Sequence, residues 1–149
     1  MNKHLNPKIT SREMSEIYTK ARAEGILSED NESVIFFDLT RLEQRLKHLR
    51  SVFPSSVEHT VAVKTNPLLE IMKIIVQNDF GLEAATFTEV ELARAAGAMS
   101  SQIVFDSPAK TIEELDLALN QYNVHVNADN LEELARISKI IKNPCNKRV

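Results

Sequence analysis

The chain has 149 residues, of which 43% are hydrophobic and 26% charged, and its formal net charge is -3. This composition is typical of a globular domain, and without a basic face it gives no reason to expect a nucleic-acid partner. Cys145 is the single cysteine, which excludes a disulfide framework within one chain, and no His, Cys and Asp set has metal-ligand spacing. The sequence has no apolar run typical of a signal peptide or a membrane span. It therefore predicts a cytoplasmic protein with no membrane partner and no metal.

The amino-terminal part of the chain is polar and reads as a leader. Residues 1–33 are predicted to contain one amphipathic helix, which ends near Gly25. Residues 34–38, with the sequence Val-Ile-Phe-Phe-Asp, predict a strand, and the leucine spacing over residues 42–52 predicts a helix after it.

From residue 60 onward, strand and helix patterns alternate four times. The strands are predicted at residues 60–63, 81–86, 102–106 and 124–127, and the helices at residues 68–76, 89–96, 111–122 and 130–141. In the last helix the predicted apolar face consists of Leu131, Leu134, Ile137 and Ile141. Continuous apolar strands in such units predict an α/β fold with a parallel sheet covered on both faces.

Two closures are open to parallel βα units, a doubly wound sheet and part of a (β/α)8 barrel. A full barrel takes about 250 residues, so this chain would hold only the first half of a TIM-type barrel. Residues 147–149 look like the start of a further strand. We therefore expect an incomplete barrel, either shortened or a natural fragment that pairs with something else.

Lys64 stands at the end of the predicted strand 60–63. Burying an unpaired ammonium is costly, whereas a lysine taken out of water at such a place becomes a nucleophile. Ligand chemistry in parallel βα folds gathers at the carboxyl ends of the strands. The polar residues predicted at those ends are Lys64, Thr65, Asn66, Glu83, Asp106, Ser107, Lys110, Asn127, Asp129 and Asn130. An amine among carboxylates suits imine chemistry, while the plain alternative is a solvated lysine that marks the strand end.

Residues 61–67, Val-Ala-Val-Lys-Thr-Asn-Pro, resemble the cofactor-lysine motif of the fold-type III pyridoxal-phosphate decarboxylases. This family includes the ornithine, diaminopimelate and arginine decarboxylases. Three further segments resemble family segments in the same order, at residues 83–90, 103–110 and 129–134. Residues 34–53 resemble the strand and helix that precede the lysine strand.

The resemblance implies that residues 34–149 are the amino-terminal part of a pyridoxal-phosphate-binding barrel. Lys64 would be the catalytic, Schiff-base lysine that holds pyridoxal 5'-phosphate. Glu83, where the family commonly has Asp, would help to hold the lysine and the cofactor. Glu89 matches an acid at the start of the next helix, and a helix-capping role suits it equally well.

The resemblance also implies an amino-acid substrate and a decarboxylase parent, and open strand edges favour a homo-oligomer. The family's ring-stacking histidine and glycine-rich phosphate loop belong to its second half, so we expect this chain to be inactive by itself. Two alternatives stay open. One is a racemase-like barrel protein of the same fold type, and the other is a non-catalytic regulatory or scaffold relative of the antizyme-inhibitor kind.

Overall fold

The structure, a computed structural model, describes residues 9–30 and 33–142. The chain divides into two compact units, Met1–Asp38 and Leu39–Val149. In the first unit, helix α1 (Ser11–Ala23) begins with a capping box between Thr10 and Glu13. The Glu13 N–H donates to the Thr10 hydroxyl at 3.2 Å, and the Glu13 carboxylate accepts from the Thr10 N–H at 2.6 Å. This helix confirms the one predicted before Gly25.

The strand predicted at residues 34–38 is wrong, because residues 33–38 form neither helix nor strand. Ile35 is 80% exposed, and Phe36 and Phe37 are exposed by nearly half. A strand must pair its backbone N–H and C=O groups with a neighbour, and all strands of the described sheet lie after residue 59. The apolar run predicted a strand from its side chains, but it carries no information about a pairing partner.

The second unit alternates helices and strands. Its elements are α2 (Leu39–Val52), β1 (Thr60–Ala62), α3 (Leu69–Gln77), β2 (Gly81–Ala84), α4 (Phe87–Ala95), β3 (Ile103–Phe105), α5 (Ile112–Asp116), β4 (His125–Val126) and α6 (Leu131–Ile140). Helix α5 continues as a π-helical segment, Leu117–Tyr122, and a 3-10 turn, Val63–Thr65, follows β1. The four predicted βα units are therefore confirmed, with shorter strands than predicted. The possible start of a further strand at residues 147–149 lies outside the described residues.

The sheet is parallel throughout, and its strand order is β1-β2-β3-β4. Each strand lies beside its predecessor, and the order never reverses. A doubly wound sheet reverses its order at a switch point, whereas successive barrel strands advance in one direction. Right-handed crossovers that all advance the same way also place their helices on one face of the sheet. The topology is therefore that of consecutive units of a barrel.

One face of the sheet carries the core. Its strand residues are at most 1% exposed and are Leu82, Ala84, Ile103, Phe105 and Val126. The helix residues packed in the same cluster include Met72, Val90, Leu115 and Ile137. Each large apolar side chain that is buried in this way contributes about 1.5–3 kcal/mol to folding. The opposite face is only half-buried and presents Ala62, Glu83, Val104 and His125.

Helix α6 differs from the prediction made for it. Ile137 is buried at 1% exposure, but Leu131 is 83% exposed and Leu134 is 44% exposed. Glu133 takes the place in the core that the pattern gave to leucine, and it is 1% exposed. The helix is thus turned so that a carboxylate, paired as described below, faces the sheet.

Candidate active site

Lys64 follows β1 directly, in the 3-10 turn Val63–Thr65. The turn is fixed on both sides, because the Thr65 hydroxyl donates to the Ala62 carbonyl at 2.7 Å and the Asn66 N–H donates to the Val63 carbonyl at 3.0 Å. Val63 is buried, whereas the Lys64 side chain is exposed. The backbone of Lys64 is therefore held in place while its amine meets solvent. The sequence suggested a lysine that is taken out of water, but among the described residues the Lys64 side chain stays exposed.

Glu83 lies on the neighbouring strand, in register with Ala62. Alternation along the strands places Ala62, Glu83, Val104 and His125 in one row across the half-buried face. Glu83 is therefore the acidic side chain of this row, and its partner Ala62 stands two residues before Lys64. We call these four residues the second row.

The next row lies at the carboxyl edge of the sheet. The Asp106 N–H donates to the Ala84 carbonyl at 2.8 Å, and the Asn127 N–H donates to the Phe105 carbonyl at 3.0 Å, so the parallel ladder continues one residue past β3 and β4. By the same register this row consists of Ala85, Asp106 and Asn127, which we call the rim row. Lys64 is not part of the ladder, since it lies in the 3-10 turn after β1, two residues past the last paired residue, Ala62. Lys64, Asp106 and Asn127 are exposed. The carboxyl edge thus carries the predicted amine on the turn after β1, an acid at Asp106 and an amide at Asn127, with Glu83 on the neighbouring strand.

Glu89 caps the start of α4. Its carboxylate accepts a hydrogen bond from the Ala85 N–H at 2.6 Å, and its own N–H donates to the Thr86 hydroxyl at 3.2 Å. The Ala85 N–H is thus taken by a side chain just where the β1–β2 ladder ends. Of the two roles that the sequence left open for Glu89, the structure shows the capping contact.

A buried ion pair lies behind the carboxyl edge. The Lys110 ammonium is 2.7 Å from the Glu133 carboxylate, and the two side chains are 0% and 1% exposed. The ammonium also donates to the Ser107 carbonyl at 2.6 Å and lies 5.7 Å from the centre of the Phe105 ring. Both charges are therefore compensated despite their loss of water.

The environment of Glu133 decides its charge. Burial, the largest effect, raises the pKa of the Glu133 carboxyl. Hydrogen bonds from the Asp129 N–H at 2.8 Å and from Lys110, together with the positive charges of Lys110 and Arg136, outweigh burial. The pKa of Glu133 is therefore lowered from its ordinary value, and the carboxylate is ionised at neutral pH.

This pair is the part of the site region that sequence reasoning missed. Both residues lie in segments that carried the family resemblance, Lys110 at the end of 103–110 and Glu133 within 129–134. Single-sequence patterns place lysine and glutamate on the surface, and a separation of 23 residues gives no local signal of pairing. The signal that could have found the pair is that both residues belong to segments that follow successive parallel strands, Lys110 to the loop after β3 and Glu133 to the first turn of the helix after β4.

A groove of about 410 Å³ lies at the opposite, amino-terminal end of the sheet. Its lining includes Thr60, Gly81 and Gln102 at the strand starts, together with His125 of the second row. Neither Lys64 nor Glu83 lines it. The chemistry of the residues, rather than the size of a cavity, therefore marks the carboxyl edge as the candidate site.

Two further findings concern metal binding and membrane spans. The described residues contain no cluster of three or more His, Cys, Asp or Glu side chains that could hold a metal ion. Within residues 9–30 and 33–142, every helix is too short or too polar to cross a lipid bilayer.

The fold and the lysine-bearing edge define a class of protein, and comparison with known families identifies it. Residues 39–149 match the model of the "Pyridoxal-dependent decarboxylase, pyridoxal binding domain" family, and the chain belongs to that family. The family uses pyridoxal 5'-phosphate.

Individual relatives agree with this assignment. The chain is 33% identical over 101 residues to diaminopimelate decarboxylase from Archaeoglobus fulgidus, which covers 68% of this chain and 24% of the relative. It is 28% identical over 130 residues to antizyme inhibitor 2 from Xenopus laevis, which covers 78% and 28%. The solved lysine/ornithine decarboxylase from Vibrio vulnificus, crystallised with putrescine, superposes with a TM-score of 0.72 at 21% identity over 89% of this chain and 34% of that one.

The chain spans about a quarter of the length of these curated relatives. Its structural neighbours are TIM-barrel decarboxylases, so the predicted fold class is confirmed and the chain corresponds to the first part of the barrel.

The residues at the carboxyl edge suit pyridoxal 5'-phosphate. An exposed primary amine on a fixed backbone, at Lys64, is the group that an aldehyde carbon requires. Glu83 and Asp106 are acids in the adjoining rows that could face a cationic ring nitrogen or an ammonium. The chain has three glycines, which are far apart in sequence, and one of them, Gly81, lies in a strand. The described residues therefore offer no glycine-rich loop for the phosphate.

Proposed function

We propose that this chain is the cofactor-lysine segment of a pyridoxal-phosphate-dependent amino-acid decarboxylase, with Lys64 as the residue that binds the cofactor covalently. The carrying observation is the placement of the Lys64 amine on a fixed turn at the carboxyl edge of a parallel sheet. The family assignment supplies the cofactor, and the rim row supplies the polar surroundings.

The roles of the chain's own residues follow from their positions. Lys64 provides the amine that binds the cofactor's aldehyde carbon with release of water. Glu83, on the neighbouring strand, holds a proton or accepts a hydrogen bond from the Lys64 ammonium when the amine is unbound. Pyridoxal phosphate, when bound, supplies the electron sink that stabilises the carbanion left by loss of carbon dioxide. Asp106 and Asn127 border the same edge and contribute polar contacts to the bound groups.

Covalent labelling tests the assignment of Lys64. The chain is incubated with pyridoxal phosphate, the C=N bond is reduced with borohydride, and the modified peptide is identified by mass spectrometry. We expect the label on Lys64 and its loss in Lys64→Ala. Lys73→Ala is the matched control, because Lys73 is another lysine of the same unit, with 40% of its side chain exposed and with an acidic neighbour, Glu70, at 2.7 Å. Equal labelling of the parent chain and Lys64→Ala would contradict the proposal.

We also propose that the parent protein decarboxylates a basic or dicarboxylic amino acid and that the isolated chain is inactive. The described residues offer an amine and acids but no phosphate loop to hold the cofactor ring in one orientation. We expect no release of carbon dioxide from ornithine, lysine, arginine or diaminopimelate by residues 1–149. Robust turnover would refute the inactivity.

A non-catalytic role is the second candidate. It is favoured by the similarity to antizyme inhibitor 2 from Xenopus laevis and by the exposure of Lys64 to solvent. In that case the fold serves to bind another protein, and the chain forms no covalent bond to pyridoxal phosphate. The labelling experiment therefore separates the two candidates.

The assembly and the location of the chain are further proposals. Among the described strands, β1 and β4 each pair on one side only, and open strand edges favour association with a second copy. We therefore propose a homo-oligomer. A cytoplasmic location is proposed from the single cysteine, since disulfide-free chains are typical of reducing compartments.

A further inference from the structure

The strongest feature that the proposed function leaves unexplained is the buried pair of Lys110 and Glu133. Lys110 belongs to the loop after β3, and Glu133 lies in the first turn of α6 after β4. Their charged atoms are 2.7 Å apart, and their side chains are at most 1% exposed. The pair therefore joins two successive loops at the same edge of the sheet that carries Lys64.

Each partner is also attached to the backbone of its own loop. The Lys110 ammonium donates to the Ser107 carbonyl at 2.6 Å. The Glu133 carboxylate accepts from the Asp129 N–H at 2.8 Å, and the Glu133 N–H donates to the Asn130 side chain at 2.8 Å. One ion pair therefore fixes the loop residues 106–110 against the loop residues 127–130.

Helix capping alone does not account for the lysine. Glu89 and Glu114 cap α4 and α5 by accepting from the Ala85 and Thr111 N–H groups, and no ion pair joins either carboxylate to a lysine within the described residues. Stability alone does not account for it either, since well-packed uncharged residues stabilise a core as well as a buried ion pair does. What the pair adds is a defined distance between two loops.

Those loops begin with Asp106 and Asn127, the rim-row residues that follow β3 and β4 at the carboxyl edge that also carries Lys64. We propose that Lys110 and Glu133 are positioning residues that hold Asp106 and Asn127 at fixed places on the carboxyl edge that carries Lys64, so that this edge accepts pyridoxal phosphate in one orientation. This proposal rests on the function proposed above. Neither residue of the pair touches the cofactor, because both are buried behind the edge.

The test removes the charges but keeps the shape. In Lys110→Met/Glu133→Gln, the methionine fills the volume of the lysine stem and the glutamine keeps an acceptor for the Asp129 N–H. Glu114→Gln is the matched control, because it changes an equivalent capping carboxylate that has no lysine partner. Three quantities are measured on the full chain: the urea midpoint, the affinity for pyridoxal phosphate by absorbance titration, and amide hydrogen exchange.

We expect the double variant to keep the parent midpoint and to bind pyridoxal phosphate about fivefold or more weakly. Exchange in residues 106–110 and 127–130 should be about tenfold faster or more, with Glu114→Gln unchanged. Parent-like affinity and exchange in the double variant would overturn the proposal, since a merely structural pair predicts that result. If the double variant does not fold, Glu133→Asp is read by the affinity and exchange criteria, because it keeps the charge that compensates Lys110 but shortens the contact between the loops.

Failure of the proposed function would be seen in the unaltered chain, as the absence of a Lys64-dependent label. That result would also overturn the assignment of the pair to a cofactor site. Failure of the positioning proposal is seen only in the variants, with the parent chain labelled at Lys64.

Discussion

The ammonium of Lys110 and the carboxylate of Glu133 have lost almost all contact with water, and each depends on the other for compensation. Residues of this kind respond asymmetrically to substitution. Removing one charge leaves the other buried and unpaired, whereas removing both leaves an uncharged contact. Exposed pairs, such as Lys73 with Glu70, lack this dependence because water solvates either partner alone.

Lys110→Met should therefore lower the free energy of unfolding by about 3–5 kcal/mol, because it strands the Glu133 carboxylate. Adding Glu133→Gln should restore most of that loss. Urea denaturation of the two variants measures both effects. Lys73→Met is the control and should change stability by less than about 0.5 kcal/mol, since its partner is exposed. Equal losses for Lys110→Met and Lys73→Met would contradict the buried pairing.

The lowered pKa of Glu133 gives the stability a defined dependence on pH. Because the folded pKa lies below the unfolded one, the stabilisation is complete above the unfolded value of about 4.5 and is lost as the pH falls through the folded value. The stability difference between the parent chain and Glu133→Gln should therefore be constant near neutral pH and should shrink below about pH 4.5. Denaturant titrations from pH 7 to pH 3 check this, and a gap that widens in acid would show the opposite sign.

At the scale of elements, the same local device opens successive helices. Thr86 and Asn130 cap α4 and α6 through their side chains, and a glutamate three residues later accepts from the backbone N–H just before the cap residue. These contacts explain why the helices begin where they do. They also explain why α6 presents Glu133 to the sheet, because the capping carboxylate lies on the side of the helix that faces its own loop.

The orientation of α6 leads to a prediction about its leucines. Leu131→Gln should change the free energy of unfolding by less than about 0.5 kcal/mol, because Leu131 is 83% exposed. Ile137→Ala should cost about 2–5 kcal/mol, because Ile137 is 1% exposed and its loss leaves a cavity. Thermal or urea unfolding of the two variants makes the comparison. A large loss of unfolding free energy for Leu131→Gln would contradict the exposure of Leu131 and support the apolar face that the sequence predicted.

The elements also mark the limit of prediction from sequence. The βα units after residue 60 were predictable, because their periodicity and capping residues are local properties of the chain. The lack of a strand at residues 34–38 was not predictable, because strand formation depends on a pairing partner that is distant in sequence. Residue type alone predicts that Glu133 is exposed, and only the register of β3 and β4 brings Lys110 to it. The position of Lys64 at a strand end was predictable, but its exposure depends on surroundings beyond its own strand.

At the scale of the molecule, the sheet of the second unit has two different faces. Helices cover one face, and the second row with Glu83 and His125 lies on the other, which is half-buried. The family relationship explains this asymmetry, since in a TIM-type barrel the inner face is closed by the remaining strands.

We expect residues 1–149 to associate with themselves, because β1 and β4 each offer an unpaired edge within the described sheet. Sedimentation velocity over a range of concentrations should show species larger than a monomer. Lysine substitutions at Thr60 and His125, on the two edge strands, should shift the distribution toward the monomer, since charged side chains protect strand edges. A single monomeric species at high concentration would contradict this expectation.

The buried pair also has a consequence for the order of folding. The helix caps join residues three or four positions apart and can form early, whereas Lys110 and Glu133 are 23 residues apart and must shed water together. We therefore expect the pair to form after the rate-limiting step. Breaking it with Lys110→Met should then accelerate unfolding far more than it slows refolding, so that an intact pair acts chiefly on the lifetime of the native state.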